Sequence, residues 1–164
     1  MASGAPRSPV PGSSGSGSGF ELGTDGPRVI VVGVDGSESS FRAGAYAAGL
    51  ARRQGARLVA VWVLPQGSPA DLFAETAAVL ADARQEEVDR LGRMVEWGKA
   101  YYGIPSVTLV TPSGDPFREL SRVAEEEQAD AVVVGASEHA GHRIVGSLGL
   151  RLVRAGRWPV TVVP

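Results

Sequence analysis

Five short runs rich in β-branched residues alternate along the chain with four segments of helical character, and that order is its strongest constraint. Arg28 to Asp35 (RVIVVGVD) is continuously apolar rather than alternating, as expected of a strand covered on both faces. Arg57 to Leu64 (RLVAVWVL) repeats the pattern and is closed by Pro65. Val107 to Thr111, Asp130 to Gly135 and Pro159 to Val163 complete the set. The expected order is β-α-β-α-β-α-β-α-β. Alternation of this kind gives an α/β fold: a single five-stranded parallel sheet, doubly wound by helices. Right-handed crossovers and a reversal of strand order then open a crevice at the carboxyl ends of the strands. The loops that start at Asp35 and Gly135 are expected to meet there.

The intervening segments read as helices from their caps and spacing. Ser37 to Gln54 is alanine-rich, with Ser37 or Ser39 as N-cap and Gly55 as the stop. Phe41, Ala45 and Ala48 are its expected inward residues. A long helix is expected over Pro69 to Tyr101, with Leu72, Thr76, Val79, Ala83, Val88, Leu91, Val95 and Tyr102 along one face. Gly92 and Gly98 weaken it by about 1 kcal/mol each relative to alanine. Gly114-Asp115-Pro116 opens the next helix, Asp115 capping it and Pro116 taking the first position. Phe117, Leu120 and Ala124 point inward from it. Ser147 to Ala155 is the last helix. Trp62 and Trp158 are expected in strands as core or interface residues, and Trp97 as core or rim of the long helix.

Residues 1–26 are a different polymer, mostly Gly, Ser, Pro and Ala, which cannot bury enough surface to offset ordering entropy. They are expected to form a disordered arm, with the folded domain over 27–164. Hydrophobic residues make up 43% of the chain, enough for a real core. A net charge of −2 gives no electrostatic reason to expect a nucleic-acid partner. The absence of cysteine removes disulfides, thiolate metal sites and cysteine nucleophiles. His139 and His142, the only histidines, are too few for a histidine-rich metal site. No apolar run approaches the roughly 20 residues of a membrane span, and the start lacks a signal-peptide core. A cytoplasmic protein with no membrane partner is expected.

The stretch Ala131 to Pro164 locates a candidate ligand site. It reads as a buried strand, a glycine-bearing loop, a helix opened by Gly146-Ser147, and a final strand. Amides at a helix N-terminus are unpaired and the dipole there favours negative charge, so this arrangement suits a phosphate. Gly135, Gly141 and Gly146 let the backbone approach an anion, and Ser147 adds a hydroxyl. Asp35 is placed to accept from a ribose hydroxyl or an exocyclic amine. His139, His142 and Arg143 are the basic groups of the loop. Plainer readings stand beside these: Asp35 as a turn residue capping Ser37, the glycines as a tight connection, Ser147 as an N-cap. No catalytic residue is assigned. The chain has no G-x-x-x-x-G-K-[ST], no G-x-G-x-x-G after the first strand, and a single lysine, Lys99, outside the loop.

Taken together, VVGVDGSESSFRAGAYAAGLA, the GDP-opened helix, EEEQADAVVVGAS and RWPVTVV resemble the universal stress protein domain, over about Arg28 to Pro164. The resemblance implies strand order 3-2-1-4-5, the adenine nucleotide alpha hydrolase-like three-layer sandwich. It implies a homodimer through the last strand and an unknown protein partner. It also implies an adenine nucleotide (ATP, AMP or cyclic AMP), with Mg alongside and no covalent cofactor, held by G-x-x-G-x9-G-[ST] after the fourth strand. By position, Asp35 matches the aspartate that contacts the nucleoside, and Val63 lies near the backbone that meets adenine. Gly135 matches the first glycine, and Gly146-Ser147 the closing pair. The chain departs from the pattern where the second glycine falls on Glu138, and where Gly135 and Gly146 stand 11 positions apart rather than 13. Gly141 takes over part of the lost glycine's role. The implied function is a stress-response regulator that binds an adenine nucleotide, with slow nucleotide hydrolysis at most. The alternative is a dimeric adaptor that has lost nucleotide binding.

Overall fold

The computed structural model describes residues 26–64, 74–104, 106–136 and 147–164, so that only Gly26 of the expected arm falls within it. The elements run β1 (Val29–Val34), α1 (Glu38–Gln54), β2 (Arg57–Trp62), α2 (Ala74–Tyr102), β3 (Ser106–Val110), α3 (Pro116–Glu126), β4 (Ala131–Gly135), α4 (Ser147–Ala155) and β5 (Val160–Val163). All strand pairs are parallel and the sheet order is β3-β2-β1-β4-β5, as expected. The reversal falls between β1 and β4, which start level: both the Arg28 and Val29 amides donate to Asp130 Oδ2, at 2.8 and 2.9 Å.

Side chains alternate across each strand and both faces are covered, which is why the strands read as unbroken apolar runs. Ile30 and Val32 of β1, Leu58 and Ala60 of β2, and Val133 of β4 pack under α1 and α2. Val31, Val59, Val61, Val132 and Val134 pack under α3 and α4, against Leu120, Val123, Ala124 and Leu152. Each fully buried valine or leucine contributes about 1.5–3 kcal/mol relative to an exposed one.

The helix caps form as the sequence dictates. Ser37 caps α1, its hydroxyl accepting from the Ser40 amide at 3.2 Å, and left-handed Gly55 ends it. Asp115 caps α3 by accepting from the Arg118 amide at 3.0 Å, with Pro116 following.

The inward faces of two helices differ from expectation. On α1, Ser39, Ser40, Ala43, Ala47, Ala48 and Ala51 are buried, whereas Phe41 is 47% exposed and Ala45 is exposed. Of the three expected inward residues only Ala48 holds, because close seating on the sheet selects the smallest side chains rather than the most apolar one. On α2, Leu91 is buried and Val95 and Tyr102 pack on the core, but Val79 is 68% exposed and Ala83 is exposed. Leu72 and the Thr76 side chain lie outside the described residues. Trp97 is 63% exposed and stacks on Tyr101, so it is neither core nor rim. Trp158 precedes β5 rather than lying in it, and packs against the α3/α4 core.

Candidate functional site

The carboxyl ends of β1, β2 and β4 surround a cleft of about 280 Å³. That is near the small end for ligand pockets. Its floor is apolar: Gly33 of β1, Val61 and Val63 at the end of β2, and Val134 of β4, roofed by Pro116 and Leu120 of α3 and Leu148 of α4. Its rim is polar: Asp35, Ser37, Ser39, Ser40 and Ser147. Among the described lining residues Asp35 is the only acid. A second hollow, about 370 Å³, is the larger of the two, but among the described residues α2 alone lines it. We therefore place the site at the strand ends.

Local sequence explains how the rim is built. After β1 the chain must turn at once into α1, and Gly36 does so at φ 86°, a left-handed conformation that glycine adopts without strain. The Trp62 ring covers Gly36 closely, and a Cβ there would lie 2.9 Å from it. The turn lets the Ser37 amide donate to Asp35 Oδ1 at 3.0 Å. Ser40 then accepts from the Asp35 amide at 3.3 Å and donates its hydroxyl to the Ser37 carbonyl at 2.9 Å. Burial pushes the Asp35 carboxyl up, while hydrogen bonds from the Ser37 side chain and amide and the Ser40 side chain pull it down further. The net result is a pKa below the ordinary 3.8, so the group is an ionised acceptor at neutral pH.

Opposite Asp35, the end of β4 is fastened to α1. The buried Ser39 hydroxyl donates to the Ala136 carbonyl at 2.7 Å. A Cβ on Gly135 would lie 2.7 Å from both Ser39 C and Ser40 N. Gly135 therefore has a packing reason to be glycine that is independent of any ligand. On the far wall, pairing of β2 with the β3 side continues past the strands: the Leu64 amide donates to Pro112 O at 2.7 Å and the Gly114 amide to Leu64 O at 3.2 Å. That brings the start of α3 alongside Val63.

Of the residues expected from sequence, Asp35, Val63, Gly135 and Ser147 all line this one cleft. Gly141, Arg143 and Gly146, with Glu138, His139 and His142, lie outside the described residues. Sequence reading missed Gly33, Ser39, Ser40, Leu120 and Leu148 as lining. The signal for the serines was present: a helix opening directly at a strand end turns its first residues toward that end. Among the described residues no three His, Asp or Glu side chains converge as a metal cage.

Known proteins share this fold. A family model described as the universal stress protein family matches residues 27–164. Universal stress protein MJ0531 of Methanocaldococcus jannaschii is 28% identical over 144 residues, covering 83% of this chain and 81% of that protein. Universal stress protein Rv2623 of Mycobacterium tuberculosis is 33% identical over 137 residues, covering 81% of this chain, which spans only 44% of that relative. A universal stress protein solved in complex with cAMP superposes with a TM-score of 0.66 at 27% identity, covering 84% of this chain and 97% of that one. With the family model spanning every element of the sheet, the chain belongs to the universal stress protein family.

Proposed function

We propose that this protein is a stress-response regulator that binds an adenine nucleotide in the cleft at the strand ends. The carrying observation is the pairing of an apolar slot with one ionised carboxylate: Gly33, Val61, Val63 and Val134 below, Asp35 at the rim. An apolar slot suits a base, and a carboxylate suits ribose hydroxyls, each of which donates. In this reading Val63 meets adenine through its backbone and Asp35 accepts from the ribose. Gly135 and Ser147 stand toward the phosphates, with Gly146 assigned there by the family pattern, Gly141 in place of the lost glycine and Arg143 as a cation of the loop. Mg would enter with the phosphates. The similar protein solved with cAMP supports the ligand class.

An aspartate held below its ordinary pKa is a weak base, so we assign binding rather than turnover. The protein then acts through partners, and in this reading it is a cytoplasmic homodimer paired through β5. Among the described residues β5 is an edge strand, with β4 on one side only, and an edge of this kind suits pairing with a second copy. No helix among the described residues is long and apolar enough to cross a membrane.

Isothermal titration with ATP, AMP and cyclic AMP tests the reading. Saturable binding is expected, lost on Asp35→Ala. No heat up to about 1 mM ligand, a free energy weaker than about −4 kcal/mol, rejects it and leaves the adaptor reading.

A further inference from the structure

We infer that Arg151 is a positioning residue of this cleft: its guanidinium locks α4 to the capped start of α3 and so fixes where Ser147 stands. The inference rests on the nucleotide reading for its effect on binding, and on geometry alone for the lock. Arg151 faces Asp115 end-on, Nη1 to Oδ2 and Nη2 to Oδ1 both at 3.2 Å. Its Cζ also lies 4.3 Å from the Phe117 ring centroid, so the guanidinium is held on two sides by α3. Asp115 cannot swing freely, because its carboxylate also caps α3. Pro116, the next residue, lines the cleft. On α4, Arg151 follows Ser147 by one turn on the same face. One fork thus spans the two walls that carry Pro116 and Ser147.

The far end of the same helix pair supplies a built-in control. There Arg157, beyond α4, pairs with Glu125 near the end of α3. Both links tie this side of the fold to α3, Arg151 from within α4 and Arg157 from the turn that follows it, but only the Arg151–Asp115 link stands at the cleft. If α3 and α4 needed only general cohesion, the two would be interchangeable.

Calorimetric titration of AMP into the full chain and its variants tests the lock. Asp115→Ser keeps a capping hydroxyl and removes the fork, and Arg151→Ala removes the other partner. Each should weaken AMP binding by roughly two- to fivefold, the range of a half-exposed pair with good geometry. The double variant should be no weaker than either single one, since one interaction is removed in all three. Arg151→Lys should recover part of the loss, and Arg157→Ala should leave affinity unchanged. Additive losses, or an equal loss in Arg157→Ala, overturn the inference. Tighter binding in Asp115→Ser also overturns it, because that marks Arg151 as a direct ligand contact released from Asp115. Should the parent protein bind no AMP, the nucleotide reading fails by itself. Hydrogen exchange of the Arg151 to Val153 amides, which bond back onto the first turn of α4, then decides the lock in ligand-free protein. Faster exchange in Arg151→Ala and Asp115→Ser but not Arg157→Ala supports it, and unchanged exchange overturns it.

Discussion

Gly135→Ala separates two reasons for a glycine at the end of β4. A glycine kept only so that a phosphate can approach leaves the ligand-free protein unaffected when it is replaced. A glycine kept for packing does not. The added Cβ would sit 2.7 Å from Ser39 C, 2.7 Å from Ser40 N and 2.9 Å from Ser39 O. These are backbone atoms of the first turn of α1, so no side-chain rotation relieves the overlap. The turn must move by several tenths of an ångström, which costs about 1–3 kcal/mol as overpacking. Its movement also breaks the 2.7 Å bond from Ser39 to Ala136 O, worth about 1 kcal/mol more. The expected loss is about 2–4 kcal/mol, or a fall in Tm of about 6–15 °C for a domain of this size. Urea unfolding of ligand-free protein measures it, with Gly33→Ala as the control. There the new Cβ meets only the Leu120 and Val134 side chains at 3.4 Å, and a cost under about 1 kcal/mol is expected. A Gly135→Ala protein within about 0.5 kcal/mol of the parent refutes the packing argument.

Three further outcomes follow from the same geometry. Ser39→Ala leaves the Ala136 carbonyl without its 2.7 Å donor and should cost about 1–2 kcal/mol by urea unfolding. The lowered pKa of Asp35 means its contribution to stability is present above 3.8 and lost as the pH falls through the folded value. Asp35→Asn should therefore flatten the acid limb of a Tm-versus-pH curve below about pH 4, and an unchanged limb counts against the hydrogen-bonded turn. Gly33→Val projects a branched side chain into the cleft floor beside Leu120 and Val134. It should lower nucleotide affinity by at least about tenfold, read by calorimetry, while circular dichroism reports an intact sheet.

The order of the strands in the sheet came from the family resemblance, whereas the helix caps were legible because single residues decide them. Ser37 and Asp115 can satisfy orphan amides, Pro116 suits a first turn, and Gly55 alone takes the left-handed stop cheaply. The inward face of α1 was not legible, since alanine carries little signal and Phe41, the largest apolar side chain nearby, points away from the sheet. On α2 the apolar spacing continues through Val79, which is largely exposed, whereas among the described side chains Leu91, Val95 and Tyr102 are the ones that turn to the core. Asp35 and Ser147 could be read into one site because both sit where a strand end meets a helix start. Gly135 was found for a different reason from the one the structure gives it, because a backbone that must admit a helix and one that must admit an anion need the same residue. Gly33 and the buried serines escaped notice because a slot's floor comes from three strands at once, and no stretch of chain contains it.

The contact between Gly135 and the opening of α1 limits how the cleft can diversify. Main chain there rests on main chain, so no neighbouring side chain can be trimmed to make room for a larger residue at 135. Variation in what the cleft accepts has to come from its side chains, such as Val61, Val63 and Leu148.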